Sequence, residues 1–142
     1  MYIKGNIAQE GQWWTAELPS FCIYTQGESE GDALRMLASA VKDLLPEFRF
    51  EILWINRERG EVGLKTEDIA QALGFIVRQN RLEGQKTLLD LSNAIGSKYP
   101  NTVAAIEKGV NEASISKMEA IAAAMGKRLV VSFEDADAAV GA

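Results

Sequence analysis

The chain has 142 residues, 47% hydrophobic and 25% charged, the balance of an ordinary globular protein rather than a fibre or a disordered tail. With one cysteine and no histidine, the composition excludes an internal disulfide, a cysteine- or histidine-based metal site and any histidine general base. The net charge of −5 is unevenly spread: residues 78–128 hold eight basic and five acidic side chains, so that span is +3 and everything outside it sums to −8. Such asymmetry points to one anionic and one basic partner. No run of apolar residues is long enough to span a membrane, and the first residues, MYIKGNIAQE, lack the apolar core of a secretory signal, so a cytoplasmic protein is expected.

In chain order, residues 2–9 alternate with Ile3, Gly5 and Ile7 on one face, and Glu10–Gly11 makes a turn. Residues 13–18 form a second strand with Trp14, Ala16 and Leu18 inward, ended by Pro19, and residues 23–25 a short third. A helix starts near Ser29, where Ser29 and Asp32 have capping-box spacing, and Leu34, Leu37, Val41 and Leu44 share a face until Pro46 stops it. Phe48, Phe50, Ile52 and Trp54 then alternate as a fourth strand. This predicts an α+β domain of order β-β-β-α-β on residues 1–57. Residues 58–64, rich in charge and glycine, read as a linker.

Beyond the linker the period is helical. Ile69, Leu73, Ile76 and Val77 mark a helix entered at Thr66, and a second starts at Thr87, with Asp90 in capping-box spacing, and runs to Ile95–Gly96. A third follows Pro100 to Lys108–Gly109, and a fourth runs from Ser114 through Ile115, Met118, Ile121, Ala122 and Met125 to a stop at Gly126. Residues 127–134, KRLVVSFE, then alternate as a strand. The expectation is an all-α domain on residues 65–134 ending in that strand, with a frayed tail at 135–142.

The richest chemistry lies in residues 87–109, TLLDLSNAIGSKYPNTVAAIEKG: two short helices around a glycine-containing turn, the pattern of a DNA-binding helix-turn-helix. Ser97, Lys98, Tyr99, Asn101 and Thr102 sit where the second helix would enter the major groove, and Lys86 precedes the first helix. Asn101 suits a bidentate bond to adenine, Thr102 a thymine methyl, and Lys98 a phosphate or a guanine. The same pattern would also suit a helical bundle with no nucleic-acid role. The combination of LSNAIG and IEKG resembles the phage-repressor, or Xre, type of helix-turn-helix over about residues 66–133. That resemblance implies that Glu107 anchors the fold rather than touching DNA; here the turn from Gly96 to Val103 is one residue longer than usual.

In the first half, EGQWWTAELP, TQGESEGDAL and the apolar helix behind them resemble the HicB antitoxin domain, a truncated RNase H-like module. The resemblance implies a small basic RNA-cleaving partner, a HicA-like toxin whose active site is covered. Candidate toxin contacts are Trp13, Glu17, Glu28 and Glu30. Trp13 points opposite to Trp14 and is either an interface or a half-covered surface residue, whereas Cys22 reads as a small buried apolar residue. Nuclease chemistry would need clustered carboxylates, yet the first strand, YIKGNIAQ, holds no acid. The expected function is therefore that of an antitoxin that also represses its own operon by binding operator DNA, without catalytic residues, metal or cofactor. The alternative is a repressor whose first domain senses a small ligand or oligomerises. Specificity from a short half-site needs two copies, and Leu129, Val130, Val131 and Phe133 are the candidate residues for pairing with a second chain, in a dimer or a higher even oligomer; the alternative is that this strand extends the sheet of the first domain.

Overall fold

The alternating residues of the first half build a five-stranded antiparallel sheet in the computed structural model, which describes residues 1–136. Contacts divide the chain into two units: Met1–Asp68 together with residues 133–136, and Ile69–Ser132. Among the described residues no helix is long and apolar enough to cross a membrane.

The sheet comprises β1 (Tyr2–Glu10), β2 (Trp13–Leu18), β3 (Ile23–Gly27), β4 (Glu51–Asn56) and β5 (Glu61–Lys65), in the spatial order β3-β2-β1-β5-β4. Ile3 and Ile7, Ala16 and Leu18, Ile23, Trp54, and Val62 and Leu64 are all buried on one face. The helix α1 (Glu30–Leu44) covers that face with Ala33, Leu37 and Val41. Gly27 allows the approach, because a Cβ there would collide with the backbone of Ala33. The Ser29 side chain caps α1 by accepting from the Asp32 amide at 3.0 Å, while the Asp32 carboxylate accepts from the Glu28 amide at 2.9 Å. Leu44, predicted on the buried face, is exposed beyond the sheet's cover, and Leu34 is only half-buried.

The expected linker at residues 58–64 is not a linker. It holds a turn and then β5, which lies between β1 and β4, so the expected β-β-β-α-β order gains a strand. Gly60, at φ +69°, makes the turn, and its carbonyl accepts from the Ile7 amide at 2.7 Å. Val62 and Leu64 alternate inward, and Gly63 faces the other way beneath Tyr2 and Ile55, where a Cβ would collide with both. The boundary consequently moves from residues 57–65 to Asp68/Ile69. Thr66 belongs to the sheet unit rather than to a helix: its buried hydroxyl donates to the Arg49 carbonyl at 2.8 Å and accepts from the Asp68 amide at 2.9 Å. Cys22 also departs from expectation. It is half-buried and, at φ 54°, closes the short 3-10 turn Pro19–Phe21 in the left-handed region.

The second unit consists of α2 (Ile69–Glu83), α3 (Leu88–Ala94), α4 (Asn101–Glu107) and α5 (Ile115–Ala124). Val77, Leu91, Val103, Ile106, Met118 and Ile121 form its core, with Leu129 packed against them. Ser114 caps α5 by accepting from the Lys117 amide, and Gly126, at φ +70°, follows its end. The strand expected at residues 127–134 is absent. These residues belong to no ladder, and those from 128 to 135 make no backbone–backbone hydrogen bond among the described residues. A strand exists only through a partner, and the described residues offer this segment none. Leu129 turns to the core, whereas Val130, Val131 and Phe133 are exposed. Of the tail expected at 135–142, residues 137–142 lie outside the described residues.

Candidate nucleic-acid interface

The second unit positions its polar surface with caps, a tight turn and one buried ion pair. Thr87 and Asp90 complete a reciprocal capping box at the start of α3: the Asp90 amide donates to Thr87 Oγ1 at 3.0 Å, and the Thr87 amide donates to the Asp90 carboxylate at 2.8 Å. That backbone donor, followed by the Thr87 hydroxyl, holds the Asp90 carboxyl below its ordinary range. After α3 the chain reverses through Gly96 at φ +76°, with the Ser97 amide donating back to the Ser92 carbonyl at 2.8 Å.

Two of the predicted DNA contacts meet each other across the turn. Ser97 Oγ lies 2.7 Å from Thr102 Oγ1 and accepts from the Tyr99 amide at 3.2 Å, and both hydroxyl residues are half-buried. Their hydroxyls bind each other. Lys98, Tyr99 and Asn101 are instead exposed, Tyr99 at 67%, and cluster at the start of α4. Lys86 is exposed just ahead of α3, with its carbonyl accepting from Arg81 Nη1 at 3.2 Å.

Glu107 sits at the other end of α4 and points inward. Arg81 Nε and Nη2 donate to its two carboxylate oxygens at 2.7 and 3.0 Å, with the side chains only 13% and 7% exposed. The fork ties the end of α2 to the end of α4, and its bond to the Lys86 carbonyl adds the entrance of α3. Hydrogen bonding to Glu107 raises the Arg81 guanidinium above its ordinary range. The phage-repressor resemblance implied an anchoring role for Glu107, whereas Arg81 leaves no sequence signal, because no local spacing connects residues so far apart. Gly74 in α2 lets the helices meet: a Cβ there would strike the Ile106 and Glu107 carbonyls.

The four candidate toxin contacts of the first unit fall into two places. Trp13 and Glu17 share the sheet face opposite α1, where Trp13 is 40% exposed and Glu17 accepts a long bond from Asn6 Nδ2 at 3.5 Å. Glu28 and Glu30 lie at the entry to α1. Glu30 is engaged by Arg57 at 2.6 Å, and that guanidinium also sits 5.1 Å over the Trp54 ring. Two aromatic residues absent from the sequence expectations join that face: Tyr24, which is exposed and stands opposite Glu17 in the ladder, and Tyr2. Period two would have placed both outward. Among the described residues, no three His, Cys, Asp or Glu side chains converge as a metal site. No known-family model matches this sequence, and no curated protein matches it.

Proposed function

We propose that the chain is an antitoxin-type repressor. Ile69–Ser132 binds operator DNA through a helix-turn-helix made by α3 and α4, and the sheet unit binds a small basic ribonuclease toxin of HicA type. The observation that carries the reading is the exposed trio Lys98, Tyr99 and Asn101 at the start of a helix whose far end is fixed by the buried Arg81–Glu107 fork. A reading helix needs polar tips that are free and a backbone that is not. Ser97 and Thr102 act as the brace of the turn and Glu107 as its anchor. The charge balance supports the same division, since Ile69–Ser132 contains all eight bases and five acids of the +3 span. The −8 remainder suits a basic partner on the face carrying Trp13 and Glu17. The HicB resemblance names that partner, and binding is the whole activity.

Selection from a random duplex pool should return a two-fold symmetric site bound with strong salt dependence. On that site Asn101→Ala should cost about 1–3 kcal/mol and relax base preference, as a lost bidentate contact does. Lys98→Ala should weaken all sequences alike and lower the salt slope by about one. Wild-type affinity in the double variant Asn101→Ala/Lys98→Ala overturns the DNA reading. Failure of the full chain to rescue cells from a HicA-type toxin, with DNA binding intact, overturns the toxin half alone.

A further inference from the structure

We infer that the open face of the sheet is a trough for a helix of the basic partner, one that carries arginine or lysine along both flanks. The inference rests on the toxin half of the proposed function and adds how that partner is held. The ladders set the face out in rows. Tyr24, Glu17, Asn6 and Glu61 stand in one row across four strands, and Trp13 and Glu10 form another at the hairpin end of β1 and β2. Between the rows Ala8 stands opposite Thr15, whose hydroxyl donates to the Ala8 carbonyl at 3.2 Å. The floor is therefore short and its hydroxyl already used. A shallow depression lies here, with Glu10, Thr15, Glu17, Tyr24 and Gln26 in its lining. The two rims are four residues apart along each strand, which is about 14 Å. An α-helix with its side chains is about 10–12 Å across, so one fits between the rims, crossing β1 and β2.

Charge selects what the helix carries. Elsewhere in this unit Asp32, Glu30 and Asp68 are each held by an arginine. Among the described residues Glu10 and Glu17 make no ion pair. Each stands beside an exposed ring in the ladder, Glu10 beside Trp13 and Glu17 beside Tyr24. A carboxylate next to an exposed ring suits a guanidinium or an ammonium, since the carboxylate pairs with the cation and the ring face attracts it. One such pair on each rim meets both flanks of a basic helix at once. A single-stranded nucleic acid, which exposed rings would otherwise suit, is repelled by the same carboxylates.

A HicA-type toxin titrated against the full chain tests the trough. Ala8→Trp fills the floor at an exposed position and should weaken binding at least about a hundredfold, because the helix can no longer seat. Glu10→Lys and Glu17→Lys should each weaken it about tenfold and flatten its salt dependence. Asp43→Lys makes the same change of charge on the exposed side of α1 and should bind as wild type does. All four variants should keep the wild-type circular-dichroism spectrum and midpoint. Binding by wild type that Ala8→Trp leaves intact overturns the trough, and binding that both rim reversals leave intact overturns the basic flanks; neither result touches the toxin reading. A wild type that does not bind the toxin overturns that reading and the trough with it. An equal loss from Asp43→Lys reduces the effect to net charge and overturns the inference. If Ala8→Trp changes the sedimentation of the free chain but not its toxin binding, the trough holds a second copy and the inference is again overturned.

Discussion

The two units hold themselves together differently, and their ion pairs show it. In the sheet unit, Arg49–Asp68 and Arg57–Glu30 join residues far apart in sequence, but each arginine is more than two-thirds exposed. Pairs of that kind contribute little, because water competes and long side chains lose freedom. The unit is closed by its ladders and by the apolar face under α1. The helical unit has no such framework. Its helices α3 and α4 have seven residues each and α5 ten, lengths at which an isolated helix does not persist in water. A small core, two caps and the buried Arg81–Glu107 fork do the work of a sheet. Charge is therefore peripheral in one unit and structural in the other.

The largest expected effect breaks that contrast directly. Arg81→Met leaves Glu107 buried without its partner and should destabilise the helical unit by about 3 kcal/mol, the low end for a buried pair because Arg81 keeps some solvent contact. Arg49→Met, the corresponding change in the sheet unit, should move its transition little, because that arginine is exposed. The molecule supplies its own reporter, since Trp13, Trp14 and Trp54 all lie in the sheet unit. In urea, Arg81→Met should shift the helical circular-dichroism transition and leave the tryptophan transition where it was. Coincident shifts of both would mean that the units are not separately held. The double variant Arg81→Met/Glu107→Leu should recover much of the loss, because no unpaired charge then remains.

Legibility in the sequence follows the range of the interaction. Ser29 with Asp32, Thr87 with Asp90, Ser114 and Gly126 act within one helical turn, and each stands at the helix end where its spacing put it. β1 and β2 were readable from period two. β5 was not, because Arg57, Glu58, Arg59 and Glu61 made the stretch look like a solvated linker; the usable signal was Val62 and Leu64 alternating just after Gly60. In the candidate site, Lys98, Tyr99 and Asn101 stand exposed together, but the mutual bond of Ser97 and Thr102 depends on the path of the turn between α3 and α4. Arg81 was invisible because its partner is fixed only by the crossing of α2 and α4. Residues 127–134 show the converse: the alternation is present, and the ladder it calls for is missing among the described residues.

A smaller effect sharpens the role of the caps. Thr87→Ala removes the hydroxyl that accepts from the Asp90 amide and should cost about 1 kcal/mol, again seen by circular dichroism and not by tryptophan. The cap also carries a pH signature. Because the folded-state pKa of Asp90 is lowered, its contribution is present above the unfolded value of about 4 and is lost as pH falls through the folded value. The stability gap between wild type and Asp90→Asn should therefore be full near neutrality and close below about pH 4. A gap that persists unchanged into strong acid would show that the carboxylate is not the group that matters.

The smallest expected effect, that of Ser92→Ala, tests the compactness of the helical unit from inside. Ser92 is completely buried in α3, and among the described residues its hydroxyl has no hydrogen-bond partner. An unpaired buried hydroxyl costs free energy, and the position needs a small side chain more than a polar one, since it is enclosed within a helix that also buries Leu91. Ser92→Ala keeps the size and removes the unmet group, so it should be neutral or stabilise by up to about 1 kcal/mol. Ser92→Val keeps the position apolar but adds volume to a filled core and should destabilise by about 1–3 kcal/mol. The pair separates polarity from space at one site. If alanine instead lowers the circular-dichroism midpoint as far as Thr87→Ala does, the hydroxyl has a partner in solution, and the helical unit is held by one more polar contact than its caps and its arginine fork.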